Sequence, residues 1–168
     1  DHPDLAFLPR LIQAFPEAEV YLVGGAVRDG ALGLKNHKDY DFVVRHVLPQ
    51  DLEKFLNIHG QANLVGKTFG VFKFTPSSST RSHLAGQGET WQGIEPIDIA
   101  LPRTEKSRRN SGAYRDFEVQ SDPHLPIEAD LSRRDFTMNA MALRISPPPS
   151  PPFQGWDKGE VIFDPFSG

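Results

Sequence analysis

The chain has 168 residues, 38% of them hydrophobic and 24% charged, a balance typical of one soluble globular domain and unlike that of a disordered chain. It contains no cysteine, which excludes disulfides and thiol-based zinc binding or catalysis and is consistent with a cytoplasmic protein. We expect neither a signal peptide nor a membrane span, and the net charge of −4 argues against a chain that alone grips a long nucleic acid.

Helices and strands alternate in the first half of the chain. Apolar residues spaced over 5–15 form a helical stripe that Pro9 starts or interrupts. The remaining elements are, in order, a strand at 19–23, a helix at 26–34, a strand at 39–45, a helix at 49–56 and strands at 62–65 and 70–74. This order predicts an α/β (α+β) domain in which helices pack on a mixed sheet.

Loops separate the predicted elements of the second half. Residues 76–93 are rich in Ser, Thr, Gly and Gln, which is typical of a surface loop or insertion. Residues 103–115 are polar, basic and unperiodic, so we predict a mobile loop there. The remaining elements are a strand at 94–101, a helical segment at 127–141, and a hairpin of strands 142–145 and 161–163 across the Pro/Ser-rich residues 146–152. The helical segment could be one helix or two short helices that meet near Phe136 and Thr137.

A glycine pair, Gly24-Gly25, joins the first predicted strand to the helix that follows it. Such a junction exposes backbone N–H groups and lets a phosphate approach closely, and Arg28, one turn into the helix, could add a charged contact. The alternative is a tight turn without a ligand. The glycine spacing does not fit the G-x-G-x-x-G fingerprint of dinucleotide-binding dehydrogenases, and no Walker pattern occurs.

Two acids, Asp39 and Asp41, lie two residues apart at the start of the next predicted strand. A strand places residues i and i+2 on one face, so the two carboxylates should be neighbours. A shared divalent cation would relieve the repulsion between them. The alternative is a solvated pair at the entrance of the strand.

A third acid, Asp98, lies between two isoleucines in the strand predicted at 94–101. In a strand it points away from the face that the isoleucines bury, and an acid in such a setting calls for a reason. Glu95 is the competing candidate, but Pro96 follows it, so Glu95 should lie before the regular, paired part of the strand. Asp98 therefore completes the set of three carboxylates that a two-metal site needs.

A polar cluster interrupts the apolar helical segment near its end. Arg133, Arg134, Asp135 and Asn139 could meet phosphate groups, a ribose hydroxyl and backbone. The alternative is a salt-bridge network that anchors the helix to the sheet, and both descriptions can hold for different members.

Four segments in this order resemble one family. They resemble class II CCA-adding tRNA nucleotidyltransferases and the related bacterial poly(A) polymerases, which belong to the DNA polymerase β-like nucleotidyltransferase superfamily. The resemblance covers nearly the whole chain and implies a head domain built on a five-stranded mixed sheet. The segments are Val23–Asp29, Asp39–Asp41, Ile97–Glu105 and Arg133–Ala142.

The resemblance also implies a role for each candidate residue. One Mg²⁺ ion would lower the pKa of the RNA 3′-hydroxyl for attack on the α-phosphate, and a second would stabilise the departing pyrophosphate. The carboxylates that would be catalytic and hold both ions are Asp39, Asp41 and Asp98. The triphosphate would lie against Gly24, Gly25 and Arg28, and the sugar against Arg133, Arg134, Asp135 and Asn139.

The implied partners are CTP, ATP and the tRNA 3′ end. Residues 1–145 would form the head domain, and 146–168 a Pro/Ser-rich loop and closing strand at the boundary with the neck. The family's neck motif, Glu-Asp-x-x-Arg, which selects the base, does not occur in these 168 residues. We therefore expect the neck, body and tail, with the main tRNA-binding surface, to lie in missing C-terminal domains or a partner chain. Alternatives are a poly(A) polymerase, a CC- or A-only enzyme, and a non-catalytic nucleotide-binding module.

Overall fold

A mixed β-sheet organises the computed structural model, which describes residues 5–34, 39–65, 70–77, 96–107, 117–134, 139–145 and 162–165. The helices of this part are α1 (Phe7–Ala14), α2 (Gly25–Ala31), α3 (Pro49–His59) and α4 (Ile127–Leu131). The strands are β1 (Glu19–Val23), β2 (Asp41–Arg45), β3 (Gly60–Val65), β4 (Val71–Pro76), β5 (Ile97–Ala100), β6 (Arg103–Ser107), β7 (Phe117–Ser121), β8 (Ala142–Ile145) and β9 (Ile162–Phe163).

Seven of these strands form one sheet in the order β3-β4-β5-β2-β1-β8-β9, and β6 pairs with β7 in a separate ribbon. Strands β2 and β5 are parallel, whereas the other paired strands are antiparallel. The mixed α+β class is confirmed. The count of five strands is too low for the described residues, because β3 and β9 extend the sheet at its two edges.

The larger core lies on the sheet face that α1, α2 and α3 cover. Phe7 of α1 packs edge-on against Phe74 of β4, with ring centroids 4.9 Å apart. Leu52 and Leu56 of α3 are fully buried in the same cluster. Complete burial of an aliphatic side chain of this size contributes about 1.5–3 kcal/mol to folding. This face therefore carries most of the stability and leaves the opposite face available for a site.

Helix α4 covers part of that opposite face. Its Ile127 and Leu131 are buried against Val23 of β1 and Val43 of β2. The helix ends at Leu131, so a single helix over 127–141 is wrong, and residues 135–138, where two short helices were predicted to meet, lie outside the described residues. After Leu131 the N–H of Arg134 bonds the carbonyl of Leu131, three residues back, which is a turn, and the carbonyl of Met141 accepts a hydrogen bond from the N–H of Gly24 beside β1.

The ribbon corrects another prediction. Residues 103–107 form strand β6 rather than the start of a mobile loop, because the backbone of 103–107 pairs with that of 117–121 and needs no apolar alternation. Residues 108–116 and 78–95, which include most of the predicted surface insertion and Glu95, lie outside the described residues. No helix in the described part is long and apolar enough to cross a membrane.

Candidate active site

The candidate site lies where β1 ends and where β2 and β5 begin. The parallel register places Asp41 of β2 beside Asp98 of β5, and the antiparallel register places Val23 of β1 on the other side of Asp41. Neighbouring strands lie about 4.8 Å apart, so the two carboxylates are adjacent on one face of the sheet. The pKa of Asp41 is raised, first by burial and then by the negative charges of Asp98 and Asp39, although Arg134 and Lys73 oppose the rise.

Asp39 is exposed and precedes β2, which begins at Asp41. The strand predicted at 39–45 therefore begins two residues later than expected, and strand geometry fixes the face of Asp41 but not that of Asp39. The charge of Asp39 nevertheless acts on Asp41 and helps to raise the pKa of that carboxyl group, after burial and Asp98.

Asp98 accepts a two-oxygen contact from a lysine that the sequence reasoning missed. The Nζ atom of Lys73 lies 2.6 Å from Oδ1 and 2.9 Å from Oδ2 of Asp98. Lys73 is directly opposite Asp98 in the antiparallel pairing of β4 with β5. The sequence did contain a signal for this contact. Lys73 lies between Phe72 and Phe74, which are buried, so strand alternation places Lys73 on the opposite, polar face of the sheet.

Gly24 forms the turn between β1 and α2 with φ +76° and ψ −144°, a conformation that side chains other than glycine rarely adopt. A Cβ atom there would lie 3.4 Å from Oδ2 of Asp41 and 3.8 Å from Nη1 of Arg134. These are ordinary van der Waals distances, so the positive φ, and not a lack of space, calls for glycine here, while a carboxylate and a guanidinium lie close to the same point of the backbone. Gly25 follows it, 3.6 Å from Nη2 of Arg28 when measured in the same way.

Substituting Gly24 with alanine should test this close approach. We expect Gly24→Ala to lower the free energy of unfolding by about 1–3 kcal/mol through backbone strain. We also expect it to weaken triphosphate binding, because the new methyl group would lie in van der Waals contact with Asp41 and Arg134, where a phosphate is expected to lie. Gly33→Ala is the matched control, since Gly33 also has a positive φ (+72°) but no atom within 4 Å of the added Cβ. Urea unfolding and nucleotide titration of both variants check this, and equal nucleotide affinity in the two would contradict it.

Arg28 and Asn139 meet although they lie far apart in the sequence. The Nη1 atom of Arg28 donates a hydrogen bond of 3.1 Å to Oδ1 of Asn139, and its Nε donates one of 2.7 Å to Oδ1 of Asp29. The arginine side chain is 34% exposed, so it remains accessible from solvent. The fold therefore joins two of the residues predicted to contact the nucleotide.

A buried carboxylate, Asp130 of α4, organises the arginine pair. Its Oδ1 accepts hydrogen bonds from Nε and Nη2 of Arg133 at 3.0 and 2.7 Å and from the backbone N–H of Arg103 at 3.3 Å. Its Oδ2 lies 3.6 Å from Nη2 of Arg134, and the aspartate side chain is fully buried. The salt-bridge network considered from the sequence is therefore present, but its centre, Asp130, was missed. Its signal was an acid three and four residues before two arginines on a predicted helix.

Residues of β1, β2, β4, β5 and β6, together with residues that follow α4, line a cleft of about 390 Å³. Among the predicted site residues, Asp135 lies outside the described residues, and Gly24, Gly25, Arg28 and Asp39 lie beside the cleft lining rather than in it. The lining carries both carboxylates and guanidinium groups, the pairing that suits a metal–phosphate ligand. The predicted residues that line it are Asp41, Asp98, Arg133, Arg134 and Asn139, and the others are Val23, Phe42, Val71, Ala100 and Arg103.

The carboxylates suit a divalent cation in ligand type. Mg²⁺ prefers oxygen ligands, and the repulsion that contributes, after burial, to the raised pKa of Asp41 is what a cation would relieve. In the described part of the chain, no three acidic or histidine side chains are gathered closely enough to hold a metal ion. Both carboxylate oxygens of Asp98 contact the ammonium group of Lys73.

Comparison with known proteins connects this geometry to one family. The family model of the poly A polymerase head domain matches residues 20–168. The multifunctional CCA protein of Acidovorax sp. (strain JS42) is 35% identical over 150 residues, which are 89% of this chain. The chain spans only 27% of that relative's length.

Solved structures agree with the sequence comparison. The Bacillus stearothermophilus CCA-adding enzyme in complex with CTP matches with a TM-score of 0.56 and 26% identity, covering 100% of this chain and 31% of that one. The Thermotoga maritima CCA-adding enzyme complexed with tRNA-CCA matches with a TM-score of 0.51 and 28% identity, covering 88% of this chain and 28% of that one.

Proposed function

Because the chain belongs to the poly A polymerase head-domain family, we propose that it is the catalytic head of a tRNA nucleotidyltransferase. The head transfers CMP and AMP from CTP and ATP to the 3′ end of tRNA and releases pyrophosphate. The observation that carries this proposal is the register of Asp41 beside Asp98 in a cleft that Arg133 and Arg134 also line. We also propose that the enzyme is cytoplasmic, in keeping with these substrates.

In the proposed reaction, the RNA 3′-hydroxyl releases its proton to solvent, and its oxygen attacks the α-phosphorus of the bound triphosphate to form the new P–O bond. The bond from that phosphorus to the oxygen bridging the β-phosphate breaks, and pyrophosphate leaves. Mg²⁺, which Asp39, Asp41 and Asp98 would hold, supplies charge stabilisation for the attacking and leaving oxygens. The carboxylates fit this role because Asp41 and Asp98 are adjacent and Asp39 acts electrostatically on the same point.

The basic residues bind and orient the nucleotide in this proposal. Arg134 lies against the Gly24 turn and beside Asp41, so a phosphate there meets both the guanidinium and the bare backbone. Arg28 adds a triphosphate contact, and its hydrogen bond to Asn139 links it to the residue proposed to contact the sugar. Arg133 and Asp135 complete the sugar contacts. The arginine charges draw the triphosphate into the cleft, and the carboxylates set its position.

We propose that residues 1–145 form this head and that 146–168 lead to its boundary with the neck. Base selection and most of the grip on tRNA belong to parts outside these 168 residues. Two observations support this division. The chain matches only 27% of the length of the CCA protein from Acidovorax sp. (strain JS42), and its 168 residues contain no Glu-Asp-x-x-Arg motif. The isolated chain should therefore bind triphosphates weakly, with little discrimination between bases.

A tRNA that ends immediately before CCA, with labelled CTP and ATP supplied separately, tests the proposal. Because most of the grip on tRNA is proposed to lie outside this chain, we expect slow, Mg²⁺-dependent incorporation of label at high tRNA concentration, with little preference between the two nucleotides. Triphosphate binding without transfer to any RNA end would contradict it in favour of a non-catalytic nucleotide-binding module. Repeated addition of AMP alone would instead support a poly(A) polymerase, the alternative that the description of the family model favours, and addition of CMP alone a CC-adding enzyme.

A further inference from the structure

We propose that Lys73 is a built-in counter-ion of the carboxylate cluster, which competes with a divalent cation for Asp98 and thereby lowers the metal affinity of the site. This inference rests on the proposed function, because it takes Asp98 to be a metal ligand. It assigns a tuning role to a residue outside the sets of metal-holding and nucleotide-contacting residues.

The contact that carries the inference engages both oxygens of Asp98. The ammonium group of Lys73 lies 2.6 and 2.9 Å from them, which is the geometry of a charge-assisted two-oxygen contact. A divalent cation coordinates through carboxylate oxygens as well. The two cations cannot take the same lone pairs, so binding of one opposes binding of the other.

The pairing of β4 with β5 places Lys73 directly beside Asp98. Strand β4 buries Phe72 and Phe74 in the main core, and strand alternation therefore turns Lys73 to the opposite face, where Asp98 is its direct partner. The charge also reaches Asp41, where it opposes the rise in pKa that burial and Asp98 cause. Lys73 thus acts on two of the three carboxylates.

The exchange is feasible because the ion pair is partly in solvent. The side chain of Lys73 is 45% exposed and that of Asp98 is 33% exposed. Pairs with this exposure contribute little to stability, so a divalent cation can displace the ammonium group without unfolding the strand. Removal of the lysine should therefore raise metal affinity while leaving the fold intact.

A titration of the chain with Mn²⁺, monitored by isothermal calorimetry, tests the inference directly. We expect Lys73→Met to bind Mn²⁺ about three- to tenfold more tightly than the parent chain, and Lys73→Arg to stay close to the parent. Lys54→Met is the matched control, because Lys54 is an exposed lysine paired with an acid, Asp51, on α3. In an Asp98→Asn background, Lys73→Met should have a much smaller effect.

The outcomes separate this inference from the proposed function. Equal or weaker Mn²⁺ binding by Lys73→Met, with clear binding by the parent, overturns the role of Lys73 and leaves the metal site standing. Failure of both the parent and the variant to bind Mn²⁺ overturns the metal site and the inference together. Binding by Lys73→Met alone supports both.

Discussion

The Asp41→Asn variant of the chain is expected to lose about a thousandfold or more of its nucleotide-adding activity. Asp41 is the carboxylate at the centre of the site, beside Asp98 in the parallel register and 3.4 Å from the position of a Cβ on Gly24. An amide of the same shape retains the packing but loses the charge that holds a cation. Initial rates of label incorporation into a truncated tRNA measure the loss.

Stability should move in the opposite direction, which separates catalysis from folding. The pKa of Asp41 is raised above the ordinary value of 3.8, first by burial and then by Asp98. The unfolded chain therefore ionises this group at lower pH than the folded chain does. The parent loses folding stability as pH rises from 3.8 toward the raised pKa. Without divalent cations at neutral pH, Asp41→Asn should unfold at the same temperature as the parent or a higher one.

The matched control for this variant is Asp51→Asn, which removes a partly exposed acid from the first turn of α3. It should retain near-parental activity. Substantial activity in Asp41→Asn, or an equal loss in both variants, would contradict the assignment of Asp41. A marked drop in the melting temperature of Asp41→Asn without divalent cations would instead attribute the lost activity to the fold.

The Asp130→Ala variant should lose about 3–5 kcal/mol of unfolding free energy, the largest stability effect that we expect in this chain. Asp130 is fully buried, and its removal leaves Arg133, only 18% exposed, without the carboxylate that receives two of its hydrogen bonds. It also removes an acceptor from the backbone N–H of Arg103. Urea unfolding, monitored by circular dichroism, measures the change.

Glu128→Ala is the control on the same helix, because Glu128 is exposed in the first turn of α4 and its loss should cost well under about 1 kcal/mol. Asp130→Asn, which keeps one oxygen acceptor but loses the charge, should fall between the two alanine variants. At temperatures where they remain folded, the Asp130 variants should also bind triphosphates more weakly, because the arginines lose their orientation. Equal stability of Asp130→Ala and Glu128→Ala would contradict this account.

The strands of the main sheet were largely predictable because their signals are local. Alternation of apolar and polar residues marks β4 and β5, and a glycine turn marks the end of β1. Strand β6 carries no such signal, since all of its residues are polar or charged and it depends on its pairing with β7. The end of α4 was missed because the apolar pattern continues past Leu131, whereas the backbone of Met141 already pairs beside β1.

The site was predictable as a set of residue types and less so as a set of contacts. Asp41 and Asp98 are 57 positions apart in the printed sequence, and only the register of β2 with β5 makes them neighbours. Lys73 could be matched with Asp98 only once the register of β4 was known. The pairing of Asp130 with the two arginines could have been predicted, because these residues are only three and four positions apart. Its burial could not, because that depends on the packing of α4 against the sheet.

The most direct test of the central claim is the position of a metal–nucleotide complex in crystals of the chain grown with Mn²⁺ and a non-hydrolysable CTP analogue. The account predicts an anomalous scattering peak at the carboxylates of Asp41 and Asp98, with the triphosphate against Arg134 and the Gly24 turn. Lys73 should then have released Asp98. A metal peak or a triphosphate located away from this cleft would contradict the account.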